Sequence, residues 1–300
     1  MSATLLLCDW GTTRLRAWTV DALGEIVKSA TLELGVSTLA PGEAENVFAN
    51  TIRPALDAED LPALLCGMVG SNLGWTTVPY LSCPAGPAQM AAALTKVADS
   101  PVAQIAPGLR CVGLTGAADV MRGEECQVFG WLEADPARRV GRRLICHPGT
   151  HAKWILVQDG IVIRFITVMT GELFATLRKH SVLANAAAPQ LGADFEAGVA
   201  AAGDGGLLTA RLFAGRGRVV GDGEPATSTP SYLSGLLIGA EVAAAPALLG
   251  AADLTIDLLG DLELCRWYEC ALTLRGVTST THDGEAAVLA GLLAIHRQGV

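Results

Sequence analysis

The sequence predicts an α/β protein that is built from two related domains. At 300 residues the chain is long enough for two domains that each bury their own core. Hydrophobic residues make up 51% of the chain, in strand-length runs and alanine-rich stretches that suit layers of strands and helices. A pattern of strand, Gly-Thr turn and strand occurs twice, near residue 11 and near residue 149. Each copy starts a β-meander, so we interpret the chain as a duplication.

The first copy is an apolar strand that leads through an acidic residue into a turn. Residues 5–7 are leucines, and Asp9 stands before the turn. Glycine lets the backbone approach a ligand, and threonine hydroxyls and turn amides can donate hydrogen bonds to phosphate oxygens. Magnesium can enter a nucleotide site on one carboxylate, which here is Asp9. The phosphate-binding candidates in this turn are Gly11, Thr12, Thr13 and Arg14.

The second copy supports this interpretation, because the first copy alone also fits an ordinary hairpin with glycine at its turn. A Gly-Thr pair again follows an apolar strand and precedes another one. His147 stands where the acidic residue stood, so the metal-binding carboxylate is predicted in the first half only. Two such turns facing a common cleft would hold a polyphosphate from both sides. The candidates in the second turn are Gly149, Thr150, His151 and Lys153, whose cation adds a phosphate contact.

The composition excludes several classes of partner. Lys and Arg total 21 against 30 Asp and Glu, which gives a net charge of -9, and no basic run indicates a nucleic-acid surface. Mean hydropathy is high at +0.40, but no apolar stretch reaches the length of a membrane span, since Glu241 and Pro246 interrupt the longest one. We find no secretory signal at the start of the sequence and expect a cytoplasmic enzyme. The eight cysteines have no C-x-x-C spacing and read as small buried hydrophobes, so no zinc site is predicted.

A glycine-punctuated loop after the strand at residues 63–67 is the candidate substrate site. Ligands gather beyond the carboxyl ends of strands in open α/β sheets, and this loop offers hydroxyl, amide and aromatic groups there. The alternative is a plain surface loop with a packed tryptophan. The candidate substrate contacts in the loop are Ser71, Asn72, Trp75 and Tyr80.

Residues 120–132 have the apolar spacing of a helix, although Gly123 within it is unfavourable. Asp119 would lie at the N-terminus of that helix, where it could accept a hydroxyl proton as general base. The alternative is a helix-capping aspartate with Glu124 and Glu125 on a solvated face, and these two glutamates are the alternates for the base.

The polar stretch 135–139 is the predicted passage between the domains. Helices are predicted at 172–180, 191–202, 207–213, 232–248, 262–274 and 283–298. A strand at 254–261 runs into the predicted helix at 262. The strand-Gly-helix junction at Gly260 and Asp261 is the candidate site for an adenosine, because Gly260 leaves room for the base or the ribose.

Four segments together resemble one family. The sequence resembles the 2-dehydro-3-deoxygalactonokinase family, within the superfamily of sugar kinases, actin and related ATPases. The resemblance spans the chain, and its last two segments are the most specific. The segments are residues 9–16, residues 67–80, residues 119–125 and residues 148–154.

The resemblance implies two RNase H-like (actin-like ATPase) domains that flank a nucleotide cleft. The implied limits are 1–135 and 140–282, with a C-terminal helix at 283–300 packing back on the first domain. It also implies ATP and magnesium as cofactors, and a small sugar acid, 2-dehydro-3-deoxy-D-galactonate, phosphorylated at its C6 hydroxyl in galactonate catabolism. The carboxylate of such an acid needs a cationic partner, and the motif-embedded choices are Arg14, Arg16 and Arg122.

A second class of function fits the same motifs. A nucleotide-dependent sensor or chaperone-like ATPase would keep the cleft without a phosphoryl acceptor, and a kinase for another sugar acid is a further alternative. The loop at 71–80 and Asp119 favour a kinase. Nucleotide preference, homo-oligomerisation and tolerance for the gluconate epimer stay open.

Overall fold

The computed structural model describes residues 2–203 and 206–299 and divides the chain into two compact units. Unit 1 comprises residues 1–141, 158–163 and 284–300, and unit 2 comprises residues 142–157 and 164–283. Met1 and Val300, the outer limits of the predicted domains, lie outside the described residues.

Strands dominate the first half of each unit. In unit 1 they are β1 Leu5–Trp10, β2 Leu15–Val20, β3 Ile26–Leu32, β4 Ala63–Gly67, β5 Leu81–Ser82, β6 Thr95–Asp99, β7 Val102–Ile105, β8 Leu109–Val112 and β9 Ala118–Met121. The later strands are β10 Arg142–His147, β11 Ala152–Gln158, β12 Ile161–Val168, β13 Ile256–Gly260 and β14 Ser279–Asp283.

Two of the sheets repeat one strand order. The first has the order β3-β2-β1-β4-β7-β6 and the second β12-β11-β10-β13-β14. In the first, β1 to β3 form an antiparallel meander, and β4 and β7 add on in parallel. In the second, β13 is parallel to β10 and β14 is parallel to β13. Both predicted meanders are therefore present, and the α/β prediction is confirmed with mixed sheets.

Helices lie between and after the strands. They are α1 Ala44–Val47, which continues through a π-helical turn Phe48–Ile52 into α2 Arg53–Ala55, then α3 Pro87–Ala92, α4 Glu124–Glu133, α5 Thr170–His180, α6 Ala193–Ala202, α7 Leu208–Val220, α8 Thr229–Leu248, α9 Leu262–Leu274 and α10 Gly284–Gln298. The helices predicted from residue 172 onward are all present, with ends that shift by up to three residues except in α7, which extends to Val220 beyond its predicted end at residue 213.

The helix predicted from residue 120 is wrong at its start. Residues 118–121 form strand β9, which pairs with β8 in the three-stranded sheet β5-β8-β9. Asp119 therefore lies within a strand, opposite Cys111, and not at a helix N-terminus. Gly123 separates the strand from α4 because its φ of 111° is incompatible with a continuous helix. The short strands β5, β6, β7 and β14 were not predicted.

Each unit has its own apolar core. The core of unit 1 packs β1, β2 and β4 against Phe48 and Ile52, and that of unit 2 packs β10 and β11 against α6, α8 and α9. We expected no apolar stretch of membrane-span length, but among the described helices α8 with the turn before it, Ala226–Leu248, is long and apolar enough to cross a membrane. Within the protein, 72% of its most apolar 18 residues are buried. This is the burial of a core helix.

Helices α4 and α10 pack with their backbones in contact. A Cβ on Gly130 would lie 1.7 Å from the carbonyl oxygen of Ala287, and one on Gly291 would lie 1.8 Å from that of Cys126. Only glycine fits at these two positions, since any side chain would force the helices apart. The packing fixes the position of α4 within unit 1.

Candidate functional site

Asp9 stands at the end of β1, and its carboxylate is almost fully buried. Its Oδ2 accepts a hydrogen bond from Arg16 Nη2 at 2.5 Å, and Cys66 Sγ lies 3.8 Å from Oδ1. Arg16 also contacts Glu285 of α10 at 3.0 Å, so two carboxylates hold this guanidinium. Burial raises the pKa of Asp9, Arg16 opposes the shift, and the negative charge of Glu124 adds to it.

The surroundings of Asp9 fit a cation that is bound mainly by other ligands. Gly67 leaves space beside the carboxylate: a Cβ there would lie 3.1 Å from Asp9 Oδ1, and the φ of +87° favours glycine. Among the described residues no group of three or more His, Cys, Asp or Glu side chains could hold a metal ion alone. Magnesium seldom needs such a cage, because waters and substrate phosphates complete its coordination.

Two adjacent glutamates begin α4 in different environments. Glu125 is fully buried, and its carboxylate accepts the Gly123 N–H at 2.8 and 2.9 Å. Burial, followed by the charge of Glu124, raises the pKa of Glu125 to about 8, so this side chain is mostly protonated at neutral pH. Glu124 is partly exposed, accepts the Arg122 N–H at 3.0 Å and is close enough to Asp9 for its charge to act there.

The backbone of the first Gly-Thr turn is hydrogen-bonded within the turn and to a following segment of the chain. Gly11 N–H donates to Arg14 O at 2.9 Å, while the carbonyl oxygens of Thr12 and Thr13 accept from Ser37 and Gly35. The side chains of Thr12 and Thr13 are exposed. Arg14 is also exposed and lies 3.7 Å from Glu33. Hydrogen bonds therefore fix the backbone of the turn, while its threonine and arginine side chains are exposed.

Two side chains of the predicted substrate loop make contacts within the protein. The Ser71 hydroxyl donates to Met68 O at 2.7 Å, so it is committed to the turn, and the Trp75 ring packs on Phe48 with centroids 5.3 Å apart. Asn72 and Tyr80 are exposed.

Arg122 lies beneath this loop and is only 9% exposed. Its guanidinium stacks on Tyr80 at 4.4 Å, and Nη2 donates to Val78 O at 2.7 Å. Nε and Nη1 are buried and have no hydrogen-bond partner in the described part of the chain. Gly70 has no side chain, and this lets Nη1 approach, because a Cβ there would lie 2.7 Å away. A buried guanidinium with two unsatisfied donors is the most unusual charge in the loop region.

The second Gly-Thr turn lies in unit 2. Lys153 is buried on β11 and donates to His151 O at 3.1 Å, and the His151 ring pairs with Glu172 at the start of α5. The Thr150 carbonyl accepts from the Glu172 N–H at 2.9 Å. The His151 side chain and the Thr150 carbonyl therefore both connect the turn to the start of α5.

A cavity of about 370 Å³ opens beside this turn within unit 2. Its size is that of a small-molecule site, and its wall is mainly apolar. The residues that line it are Gly149, Thr150, Thr170, Gly171, Phe174, Ala175, Pro189, Ser234, Leu237, Ile238, Leu264, Trp267 and Tyr268. Gly260 and Asp261, predicted near an adenosine, are not in the lining. Asp261 instead caps α9, which supplies three of the lining residues, by accepting the Leu264 N–H at 2.9 Å.

A family model described as 2-keto-3-deoxy-galactonokinase matches residues 9–295. The chain belongs to this family. The match to the galactonokinase family spans both Gly-Thr turns, the substrate loop and the β9–α4 junction, so the resemblance predicted from the motifs is confirmed.

Individual relatives agree with the family match over nearly their whole lengths. The Escherichia coli 2-dehydro-3-deoxygalactonokinase is 36% identical over 297 residues, which cover 98% of this chain and 98% of that protein. A Rhizobium meliloti protein that carries this name provisionally is 35% identical over 299 residues, with 96% and 95% covered. The crystal structure of a provisionally named 2-dehydro-3-deoxygalactonokinase protein from Sinorhizobium meliloti has a TM-score of 0.86 at 32% identity, with 98% of both chains covered.

One buried acid in this galactonokinase-family chain was not predicted as part of any site. Glu241 is 5% exposed on α8 and accepts hydrogen bonds from Trp154, Thr170 and Tyr268. The sequence shows it only as a single carboxylate that interrupts an apolar helix. Its three partners come from distant segments, so no local pattern connects them to it.

Proposed function

We propose that this protein transfers the γ-phosphoryl group of ATP to the C6 hydroxyl of 2-dehydro-3-deoxy-D-galactonate. The family match over residues 9–295 carries this proposal. The site supports it, because phosphoryl transfer needs mainly positioned donors, a cation and an acceptor for the hydroxyl proton. The chain has separate candidate groups for the donors, for binding the cation and for accepting the proton.

The cavity in unit 2 is the proposed site of the adenosine moiety. Its apolar wall with a few hydroxyl groups suits a flat base and a ribose, and the second Gly-Thr turn at its edge suits the phosphates. Lys153 supplies a cation to this turn, and the Thr150 side chain is exposed beside it. Gly11, Thr12, Thr13 and Arg14 are proposed to contact the phosphates from unit 1.

This assignment goes with the finer fold proposal. Each of the two units would be an RNase H-like domain, which is supported by the shared strand order of their large sheets. The proposed limits remain 1–135, 140–282 and 283–300. The cytoplasm is the proposed location, which suits a kinase that uses ATP.

Asp9 is the proposed protein ligand of magnesium, bound directly or through water. Magnesium would neutralise charge on the phosphates during transfer. Arg16 offsets only part of the negative charge that Asp9, Glu285 and Glu124 place in this region. Gly67 keeps the space beside Oδ1 open.

Glu124 is the proposed general base, in preference to Asp119. A base must be ionised and must reach the substrate, and Glu124 is partly exposed near Asp9. Glu125 meets neither condition, because it is fully buried and its pKa is raised to about 8. Asp119 lies within β9, opposite Cys111 of β8, and not at the start of α4, where Glu124 stands.

Arg122 is the proposed partner of the substrate carboxylate. Arg14 is exposed beside Glu33, and Arg16 is held by Asp9 and Glu285, whereas two donors of Arg122 have no partner among the residues that the structure describes. Unsatisfied buried donors cost free energy, and a carboxylate that reached them would remove this cost. Tyr80, stacked on the guanidinium, and Asn72 are the other proposed substrate contacts from this loop.

Replacing Arg122 with glutamine is expected to raise the KM for the sugar acid by about 10- to 100-fold, the value of a hydrogen bond to a charged group. The KM for ATP should change far less. Steady-state kinetics with the acid and with its neutral C1 carboxamide measure the effect. Arg110→Gln, on the exposed face of β8, is the matched control. An equal loss with the acid and the carboxamide would show that Arg122 only supports the loop.

The proposed activity is tested by ADP release from the purified protein. We expect the highest kcat/KM with 2-dehydro-3-deoxy-D-galactonate, and lower values with its gluconate epimer, glucose and glycerol, because a site built for particular hydroxyls rejects analogues that lack them. Phosphorus NMR of the product should show a 6-phosphate. ADP release that no acceptor increases would instead support a sensor or chaperone-like ATPase, and a preference for a neutral sugar would refute the substrate.

A further inference from the structure

Glu241 connects three separate elements inside unit 2. Its Oε1 accepts from Trp154 Nε1 at 2.7 Å, and its Oε2 accepts from Tyr268 OH at 2.9 Å and from the Thr170 hydroxyl. Trp154 lies on β11, Thr170 is the first residue of α5, and Tyr268 lies on α9. One carboxylate on α8 therefore orients one side chain from each of three elements.

Two of these three elements, α5 and α9, supply lining residues of the cavity. Thr170 and Tyr268 line it, and Gly171, next to Thr170, lies so close to the second Gly-Thr turn that a Cβ would be 2.6 Å from Gly149 O. β11 leaves the same turn and carries Trp154. Glu241 is not itself in the lining. It contacts two wall residues, Thr170 and Tyr268, from behind the wall.

Burying a carboxylate in an apolar core is energetically unfavourable. Removing a carboxylate from water costs free energy, and well-packed apolar side chains often stabilise a core as well or better. The penalty is visible here, since burial raises the pKa of Glu241 to about 7 despite its hydrogen bonds. What the carboxylate provides, and an apolar side chain cannot, is a fixed direction for three donors.

We propose that Glu241 is a positioning residue that fixes the Thr170 hydroxyl and the Tyr268 ring in the wall of the nucleotide pocket, and so sets the affinity for ATP and ADP. The inference rests on the proposed assignment of this cavity to the nucleotide. Without the carboxylate, the Thr170 hydroxyl can rotate and the Tyr268 ring loses the hydrogen bond at its far end. The pocket must then be ordered when the nucleotide binds, at a cost in affinity.

The test compares nucleotide affinity with sugar-acid affinity in matched variants. Glu241→Gln keeps the volume but replaces one acceptor oxygen by a donor, and Tyr268→Phe removes a single hydroxyl. We expect the Kd for ADP, measured by calorimetry, to rise about 10-fold for E241Q, equivalent to about 1.4 kcal/mol, and by a smaller factor for Y268F. The KM for the sugar acid should stay within about twofold, since the acid is assigned to unit 1.

Ser231→Ala is the control, because it removes a buried hydroxyl of the same helix that accepts from Gln190 and does not line the cavity. It should bind ADP like the wild type. Since E241Q and Y268F act on one group, the double variant should lose less affinity than the two separate losses predict. If E241Q fails to fold, Y268F alone still tests the proposal.

Two results would overturn the inference and are distinguishable. If the wild type binds ADP and E241Q or Y268F binds it equally well, with only the thermal midpoint lowered, Glu241 supports the core alone. If the wild type binds no ADP, the nucleotide assignment fails, and this inference fails with it.

Discussion

Replacing Glu124 with glutamine is expected to lower kcat by at least about 10²-fold, because the amide cannot take the proton of the attacking hydroxyl. The fold should survive, since the amide oxygen can still accept the Arg122 N–H that now donates to Oε2 at 3.0 Å. The Kd for ADP should change little, so that the loss appears in the chemical step. Single-turnover kinetics with saturating ATP and sugar acid measure that step directly.

The neighbouring acids are the matched controls for this variant. Asp119→Asn removes a carboxylate from β9 and is expected to keep most of the wild-type kcat. Glu125→Gln replaces a side chain that is already mostly protonated at neutral pH, so it should affect stability more than turnover. A larger loss for D119N than for E124Q would return the base to Asp119 and refute the assignment of Glu124.

Replacing Asp9 with asparagine is expected to remove most turnover and to increase the magnesium concentration needed for half-maximal rate. The neutral amide is a weaker ligand for a hard cation, and it also leaves Arg16 with Glu285 as its remaining carboxylate partner. Because the two side chains have nearly the same shape, the packing at the end of β1 should be kept. Initial rates across a magnesium titration, with circular dichroism for the fold, provide the measurement.

Asp21→Asn controls for the loss of a buried aspartate in the same meander. Asp21 is 5% exposed and accepts the N–H groups of Leu23 and Glu25 at its turn. This variant should lower stability without changing the magnesium dependence. Wild-type kcat and an unchanged magnesium titration for Asp9→Asn would sink the metal assignment.

The sequence predicted those parts of the fold whose signals are local. An apolar strand followed by Gly-Thr, found twice, located both meanders, and α9 begins and ends at the predicted residues. The prediction was wrong at the β9–α4 junction because Val120 and Met121 fit a strand as well as a helix. The positive φ of Gly123 separates the strand from the helix. A glycine in the sequence permits such a φ but does not establish it.

The candidate site shows the same division between local and distant information. The acids at 9, 119, 124 and 125 could be named from the motifs, but their burial could not, and burial is what separates Glu124 from Glu125. The choice among the three arginines depends on partners such as Glu285 and Val78 that lie far along the chain. Tertiary contacts carry this information, so composition and periodicity cannot supply it.

The discontinuity of unit 1 has a consequence for biosynthesis. Helix α10 packs on α4 through Gly130 and Gly291, and its first turn contacts Arg16, yet it follows all of unit 2 in the chain. A nascent chain therefore exposes the partner surface of α4 while the whole of unit 2 is being translated. Unit 2 can begin to fold on the ribosome, whereas the environment of Asp9 and Glu124 is completed only after α10 has emerged.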